Sequence, residues 1–326
     1  MRGKTDPVHW VATERRTLMR IGVSLPDPSG PDGQGRPPLA QVRDALRRAA
    51  DDGFASAWMN NIFGLDALTA LAVAGSQVPG IELGTAVVPT YPRHPAALAQ
   101  QALSVAAATD GRLALGVGSS HQIVIESMFG YDFGTPVAHT REYLSILRPL
   151  LAGQPAKLRG EQVSANVTLT TPGPTPVPLL LAALGPRMLR LAAELADGTV
   201  LWMTGPATVR GHIVPTITAA AEALGRPSPR VVCILPICVT SDPDAARAAA
   251  AKVFAIYGQL PSYRAMLDRE GAAGPADVAL VGDEASVEAQ LADLADAGVT
   301  DFVAGEFGRG EDAVRTRRLL TSLLRT

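Results

Sequence analysis

The hexapeptide Gly116-Val117-Gly118-Ser119-Ser120-His121 closes the apolar run RLALGVG. Two glycines at a strand's end let backbone N–H groups approach an anion, and the Ser119 and Ser120 hydroxyls add donors. A tight turn without a ligand is the competing reading. The segment is no dinucleotide fingerprint: GxGxxG needs a third glycine where His121 stands, and no acidic residue follows at the expected place. A second candidate, Ala183-Leu184-Gly185-Pro186, ends another apolar run and opens a helical pattern. The free N–H groups of that helix's first turn suit the same ligand. If the two strands are neighbours, their loops form one phosphate cradle.

Three further groups belong with these loops. Thr85, Ala86 and Val87 end the run IELGTAVV; small and β-branched, they would let a flat ring pack at a strand end, though ordinary strand core explains them equally well. Trp58, Asn60 and Asn61 end FASAWMNN. Neutral amides there can hydrogen-bond the edge of a heterocycle, or merely cap the next helix. His121 can serve as acid, as hydrogen-bond donor or as a plain loop residue. No Ser/His/Asp order or carboxylate pair stands out. Few titratable groups beside room for a ring and a phosphate imply that a cofactor carries the chemistry.

Metal chemistry lacks its spacing, since neither CxxC nor His-x-x-x-His occurs. Cys233 and Cys238 share the run VVCILPICV. On one strand they stand ~16 Å apart, beyond the ~7 Å Cα separation that a disulfide tolerates.

The elements that must carry these residues alternate regularly. Eight apolar runs (IGVSL, FASAWM, IELGTAVV, RLALGVG, VPLLLAAL, GTVLWM, RVVCILPICV and DFVAGEF) are each followed by a helical pattern. Continuous apolar runs of this length read as strands buried on both faces. Glycines at 53, 111, 153, 198 and 225 follow the last periodic residue of five helices. Eight repeats in about 300 residues predict a (β/α)8 TIM barrel with insertions at its C-terminal rim, where such barrels bind ligands. Residues 154–177 are expected to form a hairpin and a Pro-rich loop, and 258–300 to add an extra helix, SVEAQLADLADAG.

Composition agrees with a large folded unit. Of 326 residues, 47% are hydrophobic and 18% charged, too apolar for extensive disorder. Lys+Arg 29 against Asp+Glu 31 leaves a net charge of −2, which advertises no nucleic-acid partner. Residues 1–19 have no apolar segment of signal-peptide length and are expected to be a disordered extension before a single domain over 20–326. No uncharged apolar stretch reaches the ~18 residues of a membrane span. A cytoplasmic protein is the expectation. PAALAQQALSVAAAT carries no charge, so a helix face there is expected to be covered in a homodimer.

Together, SAWMNNIFGLDALTALA, ELGTAVVPTYPRHPAALAQQALSVAAATDGRLALGVGSSH, FGYDF followed by HTREYLSILRPLL, and GPRMLRLAAELADGTVLW resemble the luciferase-like flavin and deazaflavin oxidoreductases. The branch using coenzyme F420, an 8-hydroxy-5-deazaflavin, is the most similar. The resemblance covers residues 20–325. It implies a TIM barrel whose mouth holds F420, or alternatively FMN, with a cis peptide at Ala86-Val87 behind the ring. Gly116 to Ser120 and Leu184 to Pro186 would hold the phosphate and tail. It further implies hydride transfer between the deazaflavin C5 and a small organic substrate, with reduction of C=C or C=N favoured. The chain departs from the sugar-phosphate dehydrogenases of that branch, having Asn61-Ile62 for an Asp-His pair and His121 for a glutamate. Sugar-phosphate oxidation is therefore disfavoured, and His121, with Asn61, remains as the catalytic candidate. The alternatives are an FMN-dependent monooxygenase and a non-catalytic deazaflavin-binding protein.

Overall fold

A computed structural model describes residues 19–26, 38–171 and 176–324. Eight parallel strands close on themselves: β1 (Arg20–Ser24), β2 (Ser56–Met59), β3 (Glu82–Thr85), β4 (Leu113–Gly118), β5 (Leu179–Ala182), β6 (Gly198–Trp202), β7 (Arg230–Val239) and β8 (Asp301–Glu306). Each pairs with the next, and β8 pairs with both β7 and β1, so no barrel edge remains. This is the (β/α)8 barrel that the repeats predict, with every expected strand present. Ten helices of eight residues or more accompany it: α1 (Pro38–Asp51), α2 (Ala67–Gly75), α3 (Pro95–Ala108), α4 (Pro136–Leu151), α5 (Pro186–Leu195), α6 (Val214–Ala223), α7 (Pro243–Val253), α8 (Pro261–Glu270), α9 (Glu284–Asp296) and α10 (Glu311–Leu323).

The apolar runs are strands because both of their faces are buried. All residues of β2 and β4 are inaccessible, and burying each Leu or Val side chain contributes about 1.5–3 kcal/mol. Inside the barrel, Trp58, Ala114, Leu180, Val200, Val232, Ile234 and Val303 form a solid plug. The Trp58 Nε1–H donates to Ser56 Oγ at 2.8 Å, satisfying the one polar group of the ring. A Cβ at Gly84 would lie 2.1 Å from that indole, so only glycine fits beside it. A cluster of charged groups closes the opposite end of the barrel. There Arg230 reaches Asp301 and Glu82, each at 2.7 Å, and Arg20 joins both carboxylates. A second set of charges stands at the mouth, where Arg93 pairs with Asp66 and Arg317 with Glu306 at the end of β8.

Three expectations need correction. The first concerns the insertion after β7. Asp293 of α9 pairs with Arg210, Glu284 pairs with Arg315 of α10, and a Cβ at Gly298 would touch Val214. Helix α9, read as the extra element, therefore stands in the outer ring between α6 and α10. The added unit is instead α7, α8 and a short strand, Leu280–Gly282, that lengthens the sheet along Ile237–Val239. Ala246 and Ala250 of α7 pack on Cys238, Ala279 and Val281. The amphipathic pattern alone does not say which of two consecutive helices is in the ring. Secondly, Gly198 opens β6 and does not end α5: a Cβ there would lie 2.1 Å from the Arg230 carbonyl. Thirdly, Met19, assigned to the extension, packs against the core; residues 1–18 lie outside the described residues.

The expected hairpin is present as Ala156–Arg159 paired antiparallel with Ser164–Val167. The Glu142 carboxylate accepts the backbone N–H groups of Glu161, Gln162 and Val163 and so clips its turn to α4. Cys233 and Cys238 are free, buried thiols on β7. Among the described residues no helix is long and apolar enough to cross a membrane.

Candidate active site

The candidate residues on β2 to β5 occupy four consecutive staves of the barrel. Where β3 ends, the Ala86–Val87 peptide bond is cis, and the chain then resumes pairing with β4 through Val88–Pro89. This bulge presses on β4. A Cβ at Gly116 would lie 2.0 Å from the Thr85 carbonyl, and one at Gly118 would lie 2.8 Å from Val87 Cγ2. Thr85 Oγ1 donates to the Gly116 carbonyl at 2.8 Å and accepts the Gly116 N–H at 2.9 Å. The close approach of the two strands therefore requires glycine at both positions, and the Gly116 N–H is already taken by Thr85.

A brace behind the bulge was not legible in the sequence. Thr90 N–H donates to the Gly118 carbonyl, and Thr90 Oγ1 lies 3.1 Å from His139 Nε2. The Tyr91 ring stacks on His139 with centroids 3.8 Å apart, and the Tyr91 hydroxyl donates to the Phe133 carbonyl. Burial pushes the His139 pKa down. The imidazole is therefore neutral at pH 7 and holds the bulge as a hydrogen-bonded wedge.

Ser119 and Ser120, which follow β4, are partly accessible, and Ser120 lies in the left-handed region at φ 61°. Non-glycine residues rarely take that conformation. Among the described residues neither hydroxyl has a protein partner. Asn60 is likewise partly accessible, whereas Asn61 Oδ1 accepts the Ala67 N–H at 2.9 Å and serves the start of α2. The Asn61 amide NH2 and the second lone pair of its oxygen are left for a ligand. Trp58 is fully buried in the plug, on which Ala86, Val87 and Trp202 all pack. It supports the floor of the mouth.

The strongest anion geometry lies at α5. Gly185 is its N-cap residue, supplies no side chain to the first turn, and has open space where a Cβ would stand. Pro186 has no N–H, so the orphan donors are those of Arg187 and Met188, which have no partner among the described residues. The exposed Arg187 side chain adds a cation with no ion pair there. His212 Nε2–H donates to the Leu184 carbonyl at 2.8 Å and fixes the loop from the neighbouring stave. Because 28 residues separate the two, spacing gave no hint of this contact.

His121 is half-buried, its ring centroid 5.3 Å from that of Tyr263. Burial lowers its pKa, so the neutral form prevails at pH 7, and proton donation from an imidazolium grows only on the acid side. Among the described residues no group of three His, Cys, Asp or Glu side chains is placed to hold a metal ion.

Comparison with known proteins agrees with this architecture. The family described as luciferase-like monooxygenase matches residues 19–301. A 5,10-methylenetetrahydromethanopterin reductase of Methanolobus tindarius is 28% identical over 297 residues, covering 82% of this chain and 90% of that protein. Two solved structures share the fold. The coenzyme F420-dependent tetrahydromethanopterin reductase of Methanopyrus kandleri superimposes with a TM-score of 0.77 at 22% identity, over 93% of this chain and 97% of that one. The oxygenating constituent of 3,6-diketocamphane monooxygenase of Pseudomonas putida, solved with FMN, gives a TM-score of 0.74 at 16% identity, with coverage of 93% and 97%.

Proposed function

Since the chain belongs to the luciferase-like monooxygenase family, we propose that it is a coenzyme F420-dependent oxidoreductase acting on a small organic substrate, with reduction of C=C or C=N favoured. The observation that carries this reading is the uncapped start of α5, with open space at Gly185 and unpartnered serines on the adjoining stave. A phosphate fits it, and the similarity to F420-dependent relatives favours the deazaflavin. The backbone N–H groups of Arg187 and Met188 would hold that phosphate, together with Leu184 to Pro186 and the Ser119 and Ser120 hydroxyls. Thr85, Ala86 and Val87 would back the ring, with Gly116, Val117 and Gly118 admitting the bulge behind it, and Trp58 would lie beneath. The Asn60 and Asn61 amides would meet the ring's edge or the substrate.

When bound, the deazaflavin supplies a hydride at C5. The chain supplies orientation and exclusion of water. His121 is assigned the proton that accompanies the hydride, so kcat should rise with acidity, with a midpoint below the ordinary histidine value because burial disfavours the imidazolium. His121→Ala should then lower kcat by ~10²-fold or more with cofactor affinity little changed; unaltered kcat removes His121 from the role.

A second reading, an FMN-dependent monooxygenase, draws support from the likeness to the FMN-bearing enzyme of Pseudomonas putida. Separate fluorescence titrations with F420 and FMN decide between them. F420 should bind at least tenfold tighter, a difference of ~1.4 kcal/mol; equal or tighter FMN binding reverses the assignment. Tight F420 binding with no turnover on any reducible substrate would instead mark a carrier of the deazaflavin.

We also propose a cytoplasmic homodimer with no nucleic-acid or membrane partner. The exposed residues of α2 and α3, among them Thr69, Val73, Ala97, Gln100 and Ser104, are uncharged. A monomeric mass by light scattering at micromolar concentration contradicts the dimer.

A further inference from the structure

Six rings cross the barrel mouth in one unbroken series. From His121 the series passes to Tyr263 at 5.3 Å, then to Tyr257 and on to Trp202, each step 5.5 Å between centroids. It continues to Phe254 and then Phe307, at 5.9 Å per step. These spacings and the steep interplanar angles between 76° and 87° from Tyr263 to Phe307 are those of edge-to-face aromatic packing. The rings come from the exits of β4, β6 and β8 and from the unit inserted after β7, and all remain partly accessible.

Two observations aim the series at a ligand. Trp202 packs on the same plug as Ala86 and Val87, so the rings stand over the floor assigned to the flat cofactor. The Trp202 Nε1–H is buried and closes no hydrogen bond of good geometry, the Tyr257 hydroxyl being its nearest protein acceptor. Beyond His121 the series contains no ionisable group charged at pH 7: burial pushes the Tyr257 and Tyr263 hydroxyls up, so both stay protonated and can donate. The inserted helix is held in place, since Glu270 accepts the N–H groups of Ala207 and Thr208, and Thr208 Oγ1 donates to the Met266 carbonyl.

We propose that Trp202, Phe254, Tyr257, Tyr263 and Phe307 form an aromatic cage for a planar, uncharged, conjugated substrate bearing one hydrogen-bond acceptor, to which Trp202 Nε1–H donates. The placement of the cage above the redox ring rests on the F420 reading; its affinity for such a molecule does not. An anionic substrate would lose its hydration at the rings and find no cation among them.

The probes are 2-acetylnaphthalene, naphthalene and 2-naphthoate, titrated calorimetrically into the full-length protein with and without F420. The account expects 2-acetylnaphthalene to bind at least ~10-fold tighter than 2-naphthoate in both cases. Trp202→Ala and Tyr263→Ala should each weaken it by ~10-fold. Trp202→Phe keeps a ring and removes the N–H, so it should weaken 2-acetylnaphthalene about fivefold and leave naphthalene unchanged. Equal binding of 2-naphthoate, or 2-acetylnaphthalene affinity indifferent to Trp202, overturns the cage. If the alanine variants do not fold, Trp202→Phe and Phe254→Leu decide it. Probe binding to a protein that takes up no F420 would refute the cofactor reading and leave the cage standing; F420 uptake without probe binding does the reverse.

Discussion

Adjacent staves of the barrel end in the same dipeptide and treat it in opposite ways. After β5 the chain runs Leu184-Gly185-Pro186, and after β6 it runs Thr204-Gly205-Pro206. Both glycines are extended, with φ −76° and −78°, and each precedes a helical turn opened by proline. At Gly205 the place of a Cβ is filled by Glu270, whose carboxylate accepts Ala207 N–H at 3.0 Å and Thr208 N–H at 2.7 Å. At Gly185 the same place is open and, among the described residues, the first-turn donors have no protein partner. One helix start is closed by the protein's own anion, and the other, on the reading proposed above, would take an anion from outside. The pair shows that the Gly-Pro motif is a geometry that becomes a ligand site only where no side chain returns to fill it.

The most disruptive way to break this contrast is to give α5 a carboxylate of its own. Gly185→Asp places an acceptor at an N-cap whose backbone already suits any residue, so stability should hold or rise by a few tenths of a kcal/mol. F420 affinity should fall ~100-fold, or ~2.7 kcal/mol. An undiminished affinity by fluorescence titration would remove the phosphate from this helix.

The converse change opens the closed start. Glu270→Ala leaves the donors of Ala207 and Thr208 uncapped and releases the inserted helix, and should cost about 1–2 kcal/mol in urea unfolding. F420 affinity should stay within about twofold if the cofactor uses the other helix as proposed. A loss of binding as large as that from Gly185→Asp would merge the two sites into one.

Removing the support of the open start is a smaller perturbation. His212→Ala frees the Leu184 carbonyl and should weaken F420 about threefold to tenfold, about 1 kcal/mol; His212→Gln, which can donate again, should recover part of it. The smallest effect concerns acid. Burial lowers the pKa of both His121 and His139, so the unfolded chain takes up these protons more readily than the folded one. Their neutral forms are retained without cost above about pH 6.5, and stability should fall as the pH drops below it. Thermal melting should show a shallower acid-side decline in His139→Gln than in the parent.

The barrel was legible because each strand is a continuous apolar run, and burial on both faces demands nothing more specific. The start of α5 at Leu184-Gly185-Pro186 was legible for a similar reason: a strand end, a glycine and an N1 proline lie next to one another. What the sequence concealed is carried by contacts between distant segments. The Glu270 carboxylate reaches Thr208 across 62 residues, and the Thr85–Gly116 pair spans 31. Neither leaves a local pattern. The same holds for the ring series, whose members lie singly in weakly periodic stretches such as PSYRAMLDRE, and for the exchange of ring and inserted helices around β7. Asn61 was weighed between substrate and helix, and its oxygen serves the helix.

A crystal structure of the protein with F420 tests the central claim most directly. The account predicts the cofactor's phosphate within about 2.7–3.2 Å of the backbone N–H groups of Arg187 or Met188, with the ring against Ala86 and Val87. A phosphate bound elsewhere, with residues 185–188 facing only water, would contradict it.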